Sequence, residues 1–283
     1  GLTFGTNGFH LTFKDDVVSE GFNTVTYTGT GASNSVSGIG FQPDFTWIKK
    51  RNGTTDHQLV NSVVGYPNGT LLSNATDAEY TDAARVDSAD ADGFTVSSPA
   101  QVNADGDTYV AWNWEAGGTP TADNSAGAGA TPTAGSVKID GSNLGSALAG
   151  SIAATRLSAN TARGFSIVSF EGSGSNATIA HGLSAAPEMI IVKNRENASG
   201  LWLVYHAGIA SDAATDYLHL EATSAAADDN SAWNDTAPTS SVFSVGTSVA
   251  SNQSGKDHIT YCFHSVSGYS SIGSYSGSGS SGK

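Results

Sequence analysis

Gly40-Phe41-Gln42-Pro43-Asp44-Phe45-Thr46-Trp47-Ile48-Lys49-Lys50-Arg51 returns later in the chain, in altered letters, as Ser184-Ala185-Ala186-Pro187-Glu188-Met189-Ile190-Ile191-Val192-Lys193-Asn194-Arg195. A proline, an acid, four residues of strand character and a Lys-x-Arg ending recur at the same spacing. Alternation puts Phe45, Trp47 and Lys49 on one face of a strand and Thr46 and Ile48 on the other. In the later copy Met189 to Val192 is apolar throughout, which predicts a strand buried on both faces. Pro43 and Pro187 each stand just before the strand, where a missing N–H costs no ladder bond.

The likeness extends on both sides. Val25-Thr26-Tyr27-Thr28-Gly29-Thr30-Gly31 matches Val168-Ser169-Phe170-Glu171-Gly172-Ser173-Gly174. Gly93-Phe94-Thr95-Val96 matches Val242-Phe243-Ser244-Val245, and Val110-Ala111-Trp112-Asn113-Trp114 matches Ile259-Thr260-Tyr261-Cys262-Phe263. The spacing grows by a few residues from the first match to the last, as loop insertions between repeated modules produce. A third opening, Tyr269 to Gly279, repeats the aromatic-x-Gly-x-Gly pattern. Short β-branched or aromatic runs between glycine-rich turns predict an all-β fold of tandem antiparallel β-sandwich modules, of jelly-roll or lectin-like kind. The divisions expected are residues 1–20, the tail of a preceding domain or arm; 21–117, the first module; 118–164, a linker or arm; 165–268, the second module; and 269–283, the start of a third. Within the linker, 117–135 is rich in Gly, Ala, Thr and Pro and reads as a solvent-exposed arm. Val137 to Ile139 reads as a short strand. Leu144, Leu148 and Ile152, four apart, suggest a short amphipathic helix docked on a module or a neighbouring subunit, weakened by Gly145 and Gly150.

Composition narrows the function. The 283 residues carry 12 Lys+Arg against 26 Asp+Glu, a formal charge of −14. Such a chain repels phosphate backbones and anionic membranes, so neither nucleic acid nor membrane is an expected partner. No apolar run approaches the ~20 residues of a spanning helix. No targeting signal is visible at the abrupt opening Gly1-Leu2-Thr3-Phe4, so a place inside a longer protein is expected. The lone cysteine, Cys262, has no partner for an intrachain disulfide and reads as a small buried hydrophobe.

Catalytic constellations are thin. Ser is plentiful, but no Gly-x-Ser-x-Gly elbow joins a strand to a helix, and His57, His206 and Asp56 read as strand-edge polar residues. Glu115 and Glu171 are the acids to weigh for glycoside hydrolysis, yet neither has a matching acid in the other copy. Asp90-Ala91-Asp92-Gly93 and Asn103-Ala104-Asp105-Gly106-Asp107 have calcium-loop character but lack a downstream Glu, and the second copy keeps only Asn252. No catalytic residue, metal or cofactor is therefore expected. Sugar binding asks for exposed aromatics. Trp47, Trp112 and Trp114 have apolar counterparts (Ile191, Tyr261, Phe263) and read as core. Trp202 stands opposite His57 at a strand start, and Trp233 lies in a polar insert, 228–239, peculiar to the second copy. Those two are the candidate binding residues, Trp233 first.

Tyr27 to Gly31, Phe41 to Lys49, Leu72-Ser73-Asn74, Asp92-Gly93-Phe94 and Tyr109 to Trp112 together resemble a module recurring in structural proteins of marine bacteriophages. Gly135 to Gly141, Ala147 to Ile152 and Gly164 to Ser169 fit the same resemblance. Thr6 to Leu11 is similar to the end of a lectin-like β-sandwich that precedes such modules. The resemblance implies a virion tail fibre or spike that attaches to the host surface, a homotrimer in contact with other virion proteins and with a host glycan or protein. The alternatives are a carbohydrate-binding lectin or depolymerase, and a cellular surface filament or adhesin. One departure stands out: Cys is expected where Asn113 stands, and Asn in a buried strand needs a hydrogen-bond partner.

Overall fold

The computed structural model describes residues 21–67, 69–81, 85–197 and 200–279. The expected preceding arm, residues 1–20, lies outside them. The first module runs β1 (Phe22–Thr28), β2 (Asn34–Ser37), β3 (Phe45–Lys50), β4 (Gln58–Asn61), β5 (Val86–Asp90), β6 (Gly93–Val96), α1 (Ala100–Asn103) and β7 (Thr108–Trp114). A connecting segment supplies β8 (Val137–Ile139), β9 (Ser142–Asn143) and β10 (Arg156–Asn160). The second module follows with β11 (Phe165–Glu171), β12 (Ala177–Ala180), β13 (Met189–Asn194), β14 (Trp202–His206), β15 (Asp216–His219), β16 (Ala227–Asp228), α2 (Asn230–Trp233), β17 (Val242–Val245), α3 (Val249–Asn252) and β18 (Asp257–Phe263).

The repeat read from the letters is a repeat of topology. One sheet of the first module has the order β1-β7-β3-β4, and β11-β18-β13-β14 reproduces it inside a nine-stranded sheet. Register agrees: Phe45 faces Trp114 and Trp47 faces Trp112, as Met189 faces Phe263 and Ile191 faces Tyr261. Each module closes its sandwich with a small sheet, β2-β6-β5 in the first and β12-β17 in the second. These are tandem β-sandwich modules.

Three apolar layers separate four sheets. Ile48, Phe94, Val96 and Tyr109 fill the first sandwich. Val168, Phe170, Val192, Phe243 and Cys262 fill the second. Between the two large sheets lies a third layer drawn from both modules, with Phe45 and Leu59 meeting Phe165, Ile191, Trp202 and Tyr261. Because that layer covers its second face, β13 is buried on both sides, as its unbroken apolar run predicts.

The Gly-x-Gly turns follow from one asparagine per module. Asn103 accepts from the Thr30 N–H (2.9 Å) and donates to Ala32 O and Ser97 O. Asn252 accepts from the Ser173 N–H (2.8 Å) and donates to Ser175 O and Gly246 O. A Cβ on Gly29 would stand 2.1 Å from Ala104 O, and one on Gly172 would stand 2.3 Å from Gln253 O. Only glycine permits that approach.

The acid after each proline is equally structural. The Asp44 carboxylate accepts from the N–H groups of Ala116 and Gly118, and Glu188 accepts from Ser265, so each clasps the chain as it leaves the module's last strand. Asn113 also has its partners. It accepts from the Thr46 hydroxyl at 3.1 Å and donates to Asn23 O and Ala111 O. Cys262, the equivalent residue, faces Ile190 and Ser166 across the ladder and is fully buried.

Two expectations about the connecting segment are corrected. Leu144, Leu148 and Ile152 do not form a helix. Gly150 takes a φ of 106°, and Gly150 and Ile152 both bridge to Ile179 in extended form. The docking holds nonetheless: Leu148 is buried in the second sandwich, with Leu144 and Ile152 packed against it. Nor is the segment a free linker. β10 pairs antiparallel with β11 and parallel with β8, so it widens the second module's sheet. The 119–131 stretch is largely exposed, yet Asn124 pins it by donating to Ala154 O and accepting from Ala126 and Thr133.

Candidate functional site

The third layer has an open end. There, Phe22, Trp114, Phe165, Met189 and Phe263 wall a groove of about 250 Å³. Phe22 packs on Trp114 with ring centroids 4.9 Å apart, and Phe165 packs on Phe263 at the same distance. Trp114 meets Phe263 edge-on at 6.5 Å. These are equivalent residues of the two copies, since Phe22 pairs with Trp114 in one ladder as Phe165 pairs with Phe263 in the other. Trp114 and Phe263, the same position in each copy, thus touch across the junction at the groove.

The chain after β18 supplies the polar side. It turns at Val266–Ser270 and brings His264, Tyr269, Ser270 and Ile272 to the groove. The Arg163 guanidinium lies 5.3 Å from the Tyr269 ring centroid, a cation–π contact. His264 is 8% exposed; its Nδ1 lies 2.9 Å from Ser265 O, and its Nε2 has no hydrogen-bond partner. An apolar cavity of about 130 Å³, lined by Phe45, Trp47, Trp202 and Leu220, adjoins the groove through Trp114, Met189 and Phe263.

A larger hollow, about 400 Å³, carries Asp44, Glu115 and Asp140 on its wall. Burial raises the Asp44 pKa against the pull of its backbone hydrogen bonds. Asp140 accepts from the N–H and hydroxyl of Thr161. Both carboxylates thus serve the local backbone.

Away from the groove, toward the other end of β13, the two modules are joined by polar ties from the loop after β4. Trp202 donates its indole N–H to Leu72 O (2.9 Å) and Ala75 O (3.2 Å). Arg195 holds Glu79 with two hydrogen bonds of 2.7 and 2.9 Å. Lys193, fully buried, donates to Thr76 O and Gly200 O, and burial pulls its pKa down to about 8.

The expected binding aromatics are therefore corrected. Trp202 is fully buried as this tie. Trp233 is 2% exposed; α2 turns it under the sheet against Tyr205, where its N–H donates to Asp216 O. Conversely Trp47, Trp112 and Trp114, read as core, are only half-buried, and Trp114 is a wall of the groove.

The remaining candidates are engaged in the fold. His57 accepts from the Trp47 indole at 2.7 Å, and its pKa is lowered by burial and by Lys49. His206 accepts from the Gly208 N–H, and Asp56 accepts from Asn74. Glu171, at the end of β11, is exposed opposite Asp257 in the ladder, while Glu115 ties β7 back by its N–H to Gly21 O. Of the calcium-like acids, Asp90 accepts from Ser88 and Thr95, Asp92 from the N–H groups of Gly38 and Gly40, and Asp107 pairs with Lys50. Among the described residues no three His, Cys, Asp or Glu side chains converge as a metal ion requires. Sequence reasoning passed over Phe22, Arg163 and His264, which stand beside strand ends, and took Tyr269 only as the opening of a third repeat.

No curated protein and no solved structure matches the chain. One family model, described as a domain of unknown function (DUF7483), matches residues 18–143 and again 138–283, the same duplication seen in the topology. The second match begins at β8, in keeping with β8–β10 being part of the second module's sheet. The chain belongs to the DUF7483 family and carries two copies of its domain.

Proposed function

We propose that this chain is a structural and attachment segment of a bacteriophage virion, in a tail fibre or spike, and not an enzyme. The observation that carries the reading is the junction. Two copies of one sandwich share an apolar layer, polar ties and a connector woven into a sheet. Such a pair transmits force as one body, which a shaft or surface spike requires and a freely hinged pair does not provide. The resemblance to marine phage structural proteins and the acidic, glycine-rich composition support the same reading. In it the chain is a homotrimer on the particle surface, in contact with other virion proteins and with host surface glycan or protein.

The test is mass spectrometry of purified virions, with the parent protein quantified against the capsid protein. A low copy number in multiples of three supports the fibre. Absence from the particle, together with a stable monomer at micromolar concentration, overturns it. A lectin reading is favoured by one observation, the half-buried aromatic rings of the groove, and it merges with attachment if sugar is held without cleavage.

A further inference from the structure

We propose that the open edge of β1 is a strand-addition site for this chain's own residues 9–13, which lie outside the described residues, and that they act there as the first module's counterpart of β10. Among the described residues β1 has β7 on one side and no strand on the other. β11, its equivalent, has β18 on one side and β10 on the other. In the β1–β7 ladder the odd-numbered residues face β7: Gly29 N–H donates to Asp107 O, and Gly21 O accepts from Glu115 N–H. Alternation therefore turns the N–H and C=O of Phe22, Thr24, Thr26 and Thr28 outward. Asn23 meets the Thr24 N–H at 2.8 Å, and Asn34 meets the Thr28 C=O at 3.3 Å. Between them the backbone groups of Thr26 face the open side.

The core beneath this edge is short of cover. Val168 and Phe170, on the inward face of β11, are fully buried, and β10 sets Leu157 directly opposite Val168. Their equivalents, Val25 and Tyr27, are only partly buried. An occupant of the β1 edge thus has to offer a backbone ladder and an apolar side chain at every second position.

Phe9-His10-Leu11-Thr12-Phe13 meets both demands, since apolar and polar residues alternate along it. It stands ahead of β1 as β10 stands ahead of β11. Eight residues, 14–21, are there to make the reversal that β10 and β11 make with four, 161–164. Both strands are entered alike, through a glycine of positive φ followed by phenylalanine: 87° at Gly21 before Phe22, and 64° at Gly164 before Phe165. With Leu11 and its alternate neighbours over Val25 and Tyr27, the segment completes the first core. It also closes an edge that would otherwise template pairing between molecules. Closure of this edge is independent of where the protein works, so the virion measurement leaves it untouched.

Hydrogen exchange on the whole chain tests this at the Thr26 amide. Its rate should lie at least about tenfold below that of an open peptide, whatever the protein concentration. Leu11→Asp together with Phe13→Asp should return Thr26 to the open-peptide rate and leave the Thr260 amide, within β18, unchanged. A cysteine scan reads the pairing directly, since Cys262, the one native thiol, is fully buried. Thr26→Cys is combined in turn with a cysteine at each of residues 9–14. Under mild oxidation a disulfide should form within one chain, from position 10, 12 or 14 and not from 9, 11 or 13, because residues opposite each other share a face. A Thr26 amide at the open-peptide rate overturns the proposal, since the segment then belongs elsewhere, as a preceding domain's tail would. Equal linking at all six positions overturns it by showing a tail without register. Disulfides between chains, or protection that grows with concentration, overturn it by making the occupant a second copy.

Discussion

Lowering the pH from 7.5 to 5 will destabilise this chain by about 4 kcal/mol through two buried histidines. His181 accepts from the Leu183 N–H at Nδ1 and contacts Thr239 O through Nε2 at 3.1 Å, so its proton sits on Nε2. His258 accepts from the Gln253 N–H at Nε2 and contacts Lys256 O through Nδ1 at 2.9 Å, so its proton sits on Nδ1. Each ring is neutral with one donor and one acceptor satisfied, and both residues are fully buried. A second proton would point at a backbone N–H and strand a charge away from water. Burial accordingly takes both pKa values from 6.5 down to about 4. The unfolded chain takes up protons below 6.5 while the folded chain does not, so stability falls as pH falls between 6.5 and 4. Over the 1.5 units from 6.5 to 5, at 1.36 kcal/mol per unit, each histidine contributes a loss of about 2 kcal/mol. That is a large fraction of the ~5–15 kcal/mol that holds a typical domain. Urea unfolding at pH 7.5 and pH 5 measures the loss. His181→Gln and His258→Gln each keep a donor and an acceptor without titrating, so each variant should halve the pH dependence and the double variant should nearly abolish it. A wild-type stability flat across this range, or NMR titration of either ring near 6.5, would refute the reasoning.

Lys193 acts in the opposite pH region. With its pKa drawn down to about 8 from 10.5, the folded chain releases its proton first, and stability rises with pH through that window, by about 1–2 kcal/mol at pH 9.5. Urea midpoints at pH 7.5 and 9.5 check this, and Lys193→Met should remove the rise. Asn113→Cys leaves the buried Thr46 hydroxyl without its acceptor and should cost about 1–3 kcal/mol. Adding Thr46→Ile, which imports the Cys262–Ile190 pair of the second module, should recover much of it, so thermal unfolding of the singles and the double gives a favourable coupling. Trp202→Phe keeps most of the buried ring but removes the donor to Leu72 O and Ala75 O, leaving Leu72 O only its 3.4 Å bond from Ala75 N–H. It should cost about 1–3 kcal/mol and speed proteolysis of the 71–81 loop relative to wild type.

The parts legible in the sequence are those decided by neighbours within one module. Alternation placed Phe45 and Trp47 apart from Thr46 and Ile48, the apolar run of Met189 to Val192 announced burial on two faces, and Asn113 announced a hydrogen-bonded network. The parts that failed depend on the other copy. Whether Trp114 or Trp202 sees water is set by how the two large sheets meet, and no local pattern encodes that. β10, Arg-Leu-Ser-Ala-Asn, is short and only two of its residues, Leu157 and Ala159, reach the second core, while its polar Ser158 is buried under the exit of the first module, accepting from Gly117 N–H and donating to Gly118 O. The burial of Trp233 was readable in principle. Asp229 caps the turn through Ser231 N–H, and Asn234 ends it at a φ of 55°, so Asp-Asn-Ser-Ala-Trp-Asn spells a one-turn helix with Ala232 and Trp233 on its buried side.

The junction also constrains how the chain assembles. Tandem repeats usually stack by translation, each presenting one face to its predecessor and a different face to its successor, so the array is open. Here β3 and β7 meet β13 and β18 through the same face, and Trp114 touches Phe263, its own counterpart. An interface between like faces is closed: once two copies have met, neither has that face left to offer. The homotrimer proposed above therefore has to form through other surfaces. Among the described residues the first module still presents β1 at the edge of its sheet, with Thr24, Thr26 and Thr28 exposed, while the equivalent strand β11 is covered by β10. The same closure explains why the groove arises where it does. Two copies of one face with unequal letters, Phe45 and Trp114 against Met189 and Phe263, leave a gap where Trp114 and Phe263 meet, and it stays lined with aromatic rings. Replacing Met189 by Phe, which makes that corner of the second face match the first, should fill part of the groove and weaken any ligand it holds, at a stability change within about 1–2 kcal/mol of wild type.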